Sequence, residues 1–226
     1  MAKRAMTAEA KALKAHAILD KAAEMFSNLE YEKIKMSDIA KEMNISNGIL
    51  FVYFKTKESL FFSLLAREYE KRLYRLTELA KGTKINEFYD FKRLVMKELT
   101  ELVDNNPVYI RLESMRTAIF EKNVDAETML KEKINLYMLM KGFVSIVCEN
   151  DTLTEFEVMD ILQAEASIIT GCKLSATLPI EVIDIIEKNG LEGLKRDFRK
   201  DVLDTMICYL DGYRRNHKET HIMEEI

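Results

Sequence analysis

Between Met36 and Tyr53 the chain packs two short helices with almost no room between them. Ile39, Ala40 and Met43 recur at the three- and four-residue spacing of one helical face. The run stops at Asn44, a residue that tolerates the left-handed backbone of a tight helix end. Ser46, a strong N-cap residue, then opens a second helix carrying Leu50. Helix, three-residue turn, helix is a narrow specification, because two helices this short need a shared apolar seam. Ile39, Ala40, Met43, Ile45 and Leu50 supply it, which leaves Ser37, Ser46, Asn47, Gly48, Tyr53, Lys55 and Lys57 on the outside.

The rest of the chain reads as helix too. Seven Gly and two Pro in 226 residues are few turn residues, while Ala, Leu, Lys, Glu and Met favour helix, so an all-α fold is expected. The first helix is expected from Thr7 to Leu29, and a long one from Lys57 to Ala80 that Gly82 ends. Asn86 to Asp104 follows, stopped by Asn105-Asn106-Pro107, and Pro107 opens a segment from Val108 to Phe120. Asp125 to Glu149 comes next. Thr154 and Glu157 form a capping box for a helix to Thr177. Pro179 starts a short helix closed by Asn189-Gly190, and the last helix is expected from Leu191 to Asn216, with a frayed tail after His217.

Charge is unevenly spread. Residues 1–60 carry 10 Lys/Arg against 8 Asp/Glu and residues 61–226 carry 24 against 30, so a net of +2 precedes a net of −6. That permits phosphate contact at the N-terminal part and discourages it elsewhere. Cys148, Cys172 and Cys208 stand singly, which points to a reducing compartment and core packing. Charges interrupt every apolar stretch of the first 22 residues, so neither a signal peptide nor a membrane span is expected, and the location is expected to be cytoplasmic, with no membrane partner. His16, His217 and His221 lie near the two chain ends; no metal, no cofactor and no catalytic arrangement is expected, and the chain is read as not an enzyme.

A helix pair of this kind presents the first turns of its second helix to the major groove of DNA, while flanking segments fix register on phosphates. The segment resembles the TetR family of regulators. The matching residues are Ile39-Ala40, Asn44-Ile45-Ser46-Asn47-Gly48, Leu50-Phe51-Val52-Tyr53-Phe54 and Lys57-Glu58-Ser59-Leu60, with Ala22-Ala23-Glu24-Met25-Phe26 and Tyr31-Glu32 upstream. The resemblance implies Ser37 and Asn47 as base readers with Gly48 beside them, and Tyr53 and Lys57 at phosphate. Four residues depart from the family's habit: Glu30 for Gly, Lys35 for a capping Thr, Ile49 for Thr, and Phe51 for Tyr, the last losing a hydroxyl that a phosphate would bind. Lys3, Arg4, Lys11 and Lys14 offer a basic arm.

The expected organisation is therefore a DNA-binding domain over residues 1–56 and a helical effector-binding and dimerisation domain over residues 57–226. The expected function is a ligand-responsive repressor binding a palindromic double-stranded operator as a homodimer. The alternative is a helical interaction protein whose DNA-binding module is degenerate. Arg111, Met115, Arg116, Ile119, Tyr137, Met140 and Phe143 are candidates to line the site of a small, largely apolar effector. Ala164, Ser167 and Gly171 allow close helix approach, and Phe198, Leu203, Met206 and Leu210 form an apolar stripe, so these seven are the expected dimer interface.

Overall fold

Thr7 starts the first helix because its hydroxyl replaces a missing backbone partner: Oγ1 accepts from the Ala10 N–H at 3.2 Å, and α1 runs Ala8–Asn28. The structure, a computed structural model, describes the backbone of residues 7–224 and the side chains of residues 7–213. Lys3, Arg4 and the side chains of His217 and His221 lie outside the described residues. Among the described residues every regular element is helical. After α1 come a 3-10 turn (Tyr31–Lys33), α2 (Met36–Glu42), α3 (Asn47–Tyr53), α4 (Lys57–Lys81), α5 (Phe88–Asn105) and α6 (Pro107–Met115). A π turn (Arg116–Phe120) and the single turn α7 (Glu121–Asn123) lead to α8 (Ala126–Val147), α9 (Glu155–Ala176), α10 (Ile180–Lys188) and α11 (Phe198–Glu224).

These helices form two compact units. The first takes the residues up to Tyr69 together with Met115–Ile134; the second takes Glu70–Ser114 and the chain from Asn135 onward. In the first unit α1 packs on α2 and α2 on α3. Ile18, Ala22, Phe26, Ile39, Leu50, Phe61 and Leu64 lose essentially all contact with water, each contributing about 1.5–3 kcal/mol where the side chain is large. Phe61 is the hub: its ring centroid lies 5.3 Å from that of Phe26, 5.1 Å from Tyr31 and 6.3 Å from Phe120. Phe120 comes from the π turn, so a late segment of the chain completes the core of an early one.

In the second unit α11 packs against α9 and α5. Val202, Met206 and Leu210 of α11 are buried together with Ile161 and Ile169 of α9 and Leu94, Leu99 and Leu102 of α5. The capping box at Thr154 forms as expected: Oγ1 accepts from the Glu157 N–H at 3.2 Å, and the Thr154 N–H donates to Glu157 Oε2 at 2.7 Å. No single helix among the described residues is long and apolar enough to cross a membrane.

Three expectations need correction. The last helix begins at Phe198, not Leu191. Gly190, at φ +65°, closes α10, the chain makes a 3-10 turn over Glu192–Leu194, and Asp197 starts α11 by accepting from the Lys200 N–H at 2.9 Å. The same helix continues to Glu224, beyond the expected end at Asn216. None of the three cysteines is a core residue: Cys148 and Cys172 are half-buried and Cys208 is exposed.

Candidate nucleic-acid interface

The turn between α2 and α3 forms for the reasons its residues suggest. Asn44 takes φ 53°, the left-handed conformation. The Ile45 N–H reaches back to the Ala40 carbonyl at 3.0 Å. Ser46 Oγ accepts from the Ile49 N–H at 3.3 Å and caps α3. α2 starts without such help: Lys35, where a capping Thr is usual in the family resembled, makes no side-chain cap.

This geometry exposes Ser37, Ser46, Asn47, Gly48 and Phe51, with Tyr53 half-buried. Ser37 Oγ is 3.4 Å from Asp38 Oδ1. The outward surface of α3 is more apolar than the sequence pattern suggests. Ile49 and Phe51 are each 46% exposed and Val52 is 70% exposed, while Leu50 is fully buried beneath them. Val52 was not among the expected contact residues, and it is the most exposed of these three side chains.

The two lysines expected on the outside behave differently. Lys57 is turned inward: its Nζ donates to the Tyr31 carbonyl and sits 3.7 Å from the centroid of the Tyr31 ring. Burial lowers its pKa from the ordinary lysine value. The Tyr31 hydroxyl donates to Glu58 Oε1 at 3.2 Å, and burial, then Glu58, raises the phenol above its ordinary value, so it remains a donor. In this arrangement Lys57 is a strut between α4 and the turn after α1. Lys55 is exposed and lies 3.9 Å from Asp125 and 3.7 Å from Glu127, pairs too long and too wet to hold it, so it can exchange them for a phosphate. Exposed Lys33, Lys35 and Lys41 flank the pair of helices as well. Thr56 and Ser59 cap α4 reciprocally, at 3.1 and 3.0 Å, which explains Ser59 within the motif.

The expected effector residues do not lie in one unit. Met115, Arg116 and Ile119 belong to the first, and Arg111, Tyr137, Met140 and Phe143 to the second. Arg116 is engaged by Glu121 at 3.2 Å, and the same carboxylate holds Lys133. Phe143 is fully buried core and Tyr137 is exposed.

Sequence reasoning missed the polar centre of the second unit. Buried Arg72 donates through Nε and Nη2 to Glu98 Oε2 at 3.0 and 2.8 Å, through Nη2 to Glu165 Oε2 at 2.6 Å, and through Nη1 to the Tyr109 hydroxyl at 3.1 Å. Glu165 is wholly buried and its Oε1 has no hydrogen-bond partner. Burial pushes its carboxyl up to about 7, against the pull of Arg72. A signal was there to find: Glu98 sits between Leu94 and Leu102, and Glu165 between Ile161 and Ile169, each a charge in an i±4 apolar row.

Of the expected dimer residues, Ser167 and Gly171 are exposed, and Ala164, Phe198 and Leu203 are half-buried. Met206 and Leu210 are fully buried within the chain's own core, so they offer no surface to a partner. Among the outward apolar side chains of this unit are Leu174, Ile180, Ile185, Leu194 and Ile207.

Residues 18–64 match the family described as bacterial regulatory proteins, tetR family, and residues 66–217 match the tetracyclin repressor-like C-terminal domain. The chain is 33% identical over 89 residues to the uncharacterized HTH-type transcriptional regulator YuxN of Bacillus subtilis, covering 39% of this chain and 28% of YuxN. It is 26% identical over 131 residues to the fatty acid metabolism regulator protein of the same organism, covering 58% of this chain and 62% of that one. Both alignments span less than two thirds of the relative. In fold the chain is similar to the crystal structure of Thermus thermophilus FadR, a TetR family transcriptional repressor in complex with lauroyl-CoA, with a TM-score of 0.54 at 16% identity over 87% of this chain and 92% of that one. The C-terminal match alone covers more than half of the sequence, and with the helix pair and its capped turn in place, the chain belongs to the TetR family of bacterial transcriptional regulators.

Proposed function

We propose that the protein is a ligand-responsive repressor that binds a palindromic operator as a homodimer. Residues 1–56 act as the DNA-binding domain, and residues 57–226 bind the effector and dimerise. The observation that carries this reading is the capped turn at Asn44–Ser46, which holds α3 with Asn47, Gly48 and Phe51 outward while Leu50 anchors it from below. Asn47 and Ser37 read base edges, and Ser46, Tyr53 and Lys55 contact the backbone. Arg111, Tyr137 and Met140 are the effector residues retained in the second unit, Phe143 being closed off in its core. The exposed apolar side chains Leu174, Ile180, Ile185, Leu194 and Ile207, together with exposed Ser167 and Gly171, support association of two copies.

The effector is a small, largely apolar molecule. Thermus thermophilus FadR holds lauroyl-CoA and one curated relative is named for fatty acid metabolism, so fatty acyl thioesters are the first class to try. The test is fluorescence anisotropy with DNA flanking the protein's own gene and a scrambled duplex, with and without lauroyl-CoA. Preference for the flanking DNA by about a thousandfold or more is expected, with release on adding the thioester. Equal binding to both duplexes would overturn the reading. The apolar outward face of α3 favours one second reading, an interaction protein with a degenerate DNA module, and that outcome would select it.

A further inference from the structure

We infer that α3 recognises thymine 5-methyl groups in the major groove, with Val52 at the centre of the contact and Ile49 beside it; this rests on the DNA-binding reading above. None of the seven residues of α3 is charged. Successive residues of a helix turn by about 100°, so Val52 stands about 200° from Leu50, nearly opposite the one fully buried position. Gly48 lies one turn earlier on the same outward face. Around it only Ser46 Oγ comes within 4 Å of where a Cβ would be, at 3.9 Å, so the backbone there is open to close approach. Ile49 and Phe51 flank this line on either side.

Such a surface discriminates by what it lacks. A G·C pair shows the major groove two acceptors and an amino donor, and an isopropyl group laid on them leaves all three unpaired and dry. A thymine shows a methyl group there, which Val52 and Ile49 bury favourably. Both residues are β-branched, so their rotamers are stiff and the apolar surface is set before DNA arrives. Asn47, exposed in the first turn of α3, suits an adenine alongside.

The experiment begins with a random-sequence duplex library, from which the wild-type protein selects a high-affinity site. Each thymine of that site is then replaced singly by deoxyuracil, which removes the 5-methyl group and leaves the pairing edge intact. At one or two thymines per half-site the affinity is expected to fall about fourfold per methyl, and about fifteenfold when both half-sites are changed. Val52→Ala, at an exposed position, is expected to bind the thymine and uracil duplexes alike, and Ile49→Ala to lose sensitivity at a neighbouring position. If no thymine is sensitive while the selected site is bound tightly, the inference is overturned and DNA binding stands. If Val52→Ala and Ile49→Ala keep the full methyl sensitivity, these side chains are not the readers. If no duplex is enriched over the starting pool, the DNA-binding reading itself fails, and this inference with it.

Discussion

Lys57 and Tyr31 hold each other across the start of α4: the ammonium donates to the tyrosine carbonyl and lies against the face of its ring. A lysine that satisfies a backbone acceptor and an aromatic face inside its own chain has little left for a phosphate. The contact ties the turn after α1 to the helix that follows the recognition helix.

Lys57→Ala is therefore expected to leave the slope of log affinity against log salt unchanged. It should lower stability by about 1–2 kcal/mol, the sum of a hydrogen bond and a cation–π contact. Anisotropy titrations at several salt concentrations and a thermal melt check the two halves. A slope smaller by about one unit would return Lys57 to the DNA surface.

Asn47 lies in the first turn of α3 beyond the Ser46 cap and is exposed. Asn47→Ala should change the preferred base at one operator position by about 1–3 kcal/mol while leaving other positions alone. A panel of single-base operator variants measures this. A uniform loss across the panel would make Asn47 a backbone contact, and Ser37 the better base reader.

Burial raises the Glu165 carboxyl to about 7, so the folded chain holds a proton there that the unfolded chain releases nearer the ordinary glutamate value. The stability this supplies is fully present below that ordinary value and is lost as pH rises towards 7, with a slope of at most about 1.4 kcal/mol per pH unit. Chemical denaturation of wild type and Glu165→Gln between pH 5 and 8 isolates the effect. The wild type should lose stability relative to the variant as pH rises. Parallel curves would mean that Glu165 keeps one protonation state throughout.

Gly171 is exposed on α9, and a Cβ there meets nothing within 4 Å in its own chain. Gly171→Leu should therefore raise the stability of the single chain by about 1 kcal/mol, the usual gain in helix propensity over Gly. If two copies meet closely at this face, the same change should weaken their association, and sedimentation velocity at micromolar concentration reads it. An unaltered dimer would remove Gly171 from the interface.

What was legible in the sequence is what local chemistry decides. Asn44, Ser46 and Thr154 each act within four residues of themselves, and each makes the turn or cap that its side chain implies. The α11 start was misread because Leu191 and Leu194 keep helical spacing, although Gly190 and Asp197 mark a stop and a fresh cap. Met206 and Leu210 were read correctly as apolar stripe and wrongly as outward, since spacing cannot say which neighbour a stripe faces. Lys57 finds its partner 26 residues earlier, and Arg72 reaches Glu165 93 residues later. Pairings of that span depend on how helices dock, which no single window of sequence contains.

The rings of Phe61 and Phe120 meet Tyr31 from either side of a long excursion of the chain. A gene fusion cut at residue 56 would thus leave behind most of the aromatic packing that its N-terminal helices rest on. Recombination that transplants this DNA-reading module intact has to move two separated stretches together, the second of them carrying Phe120.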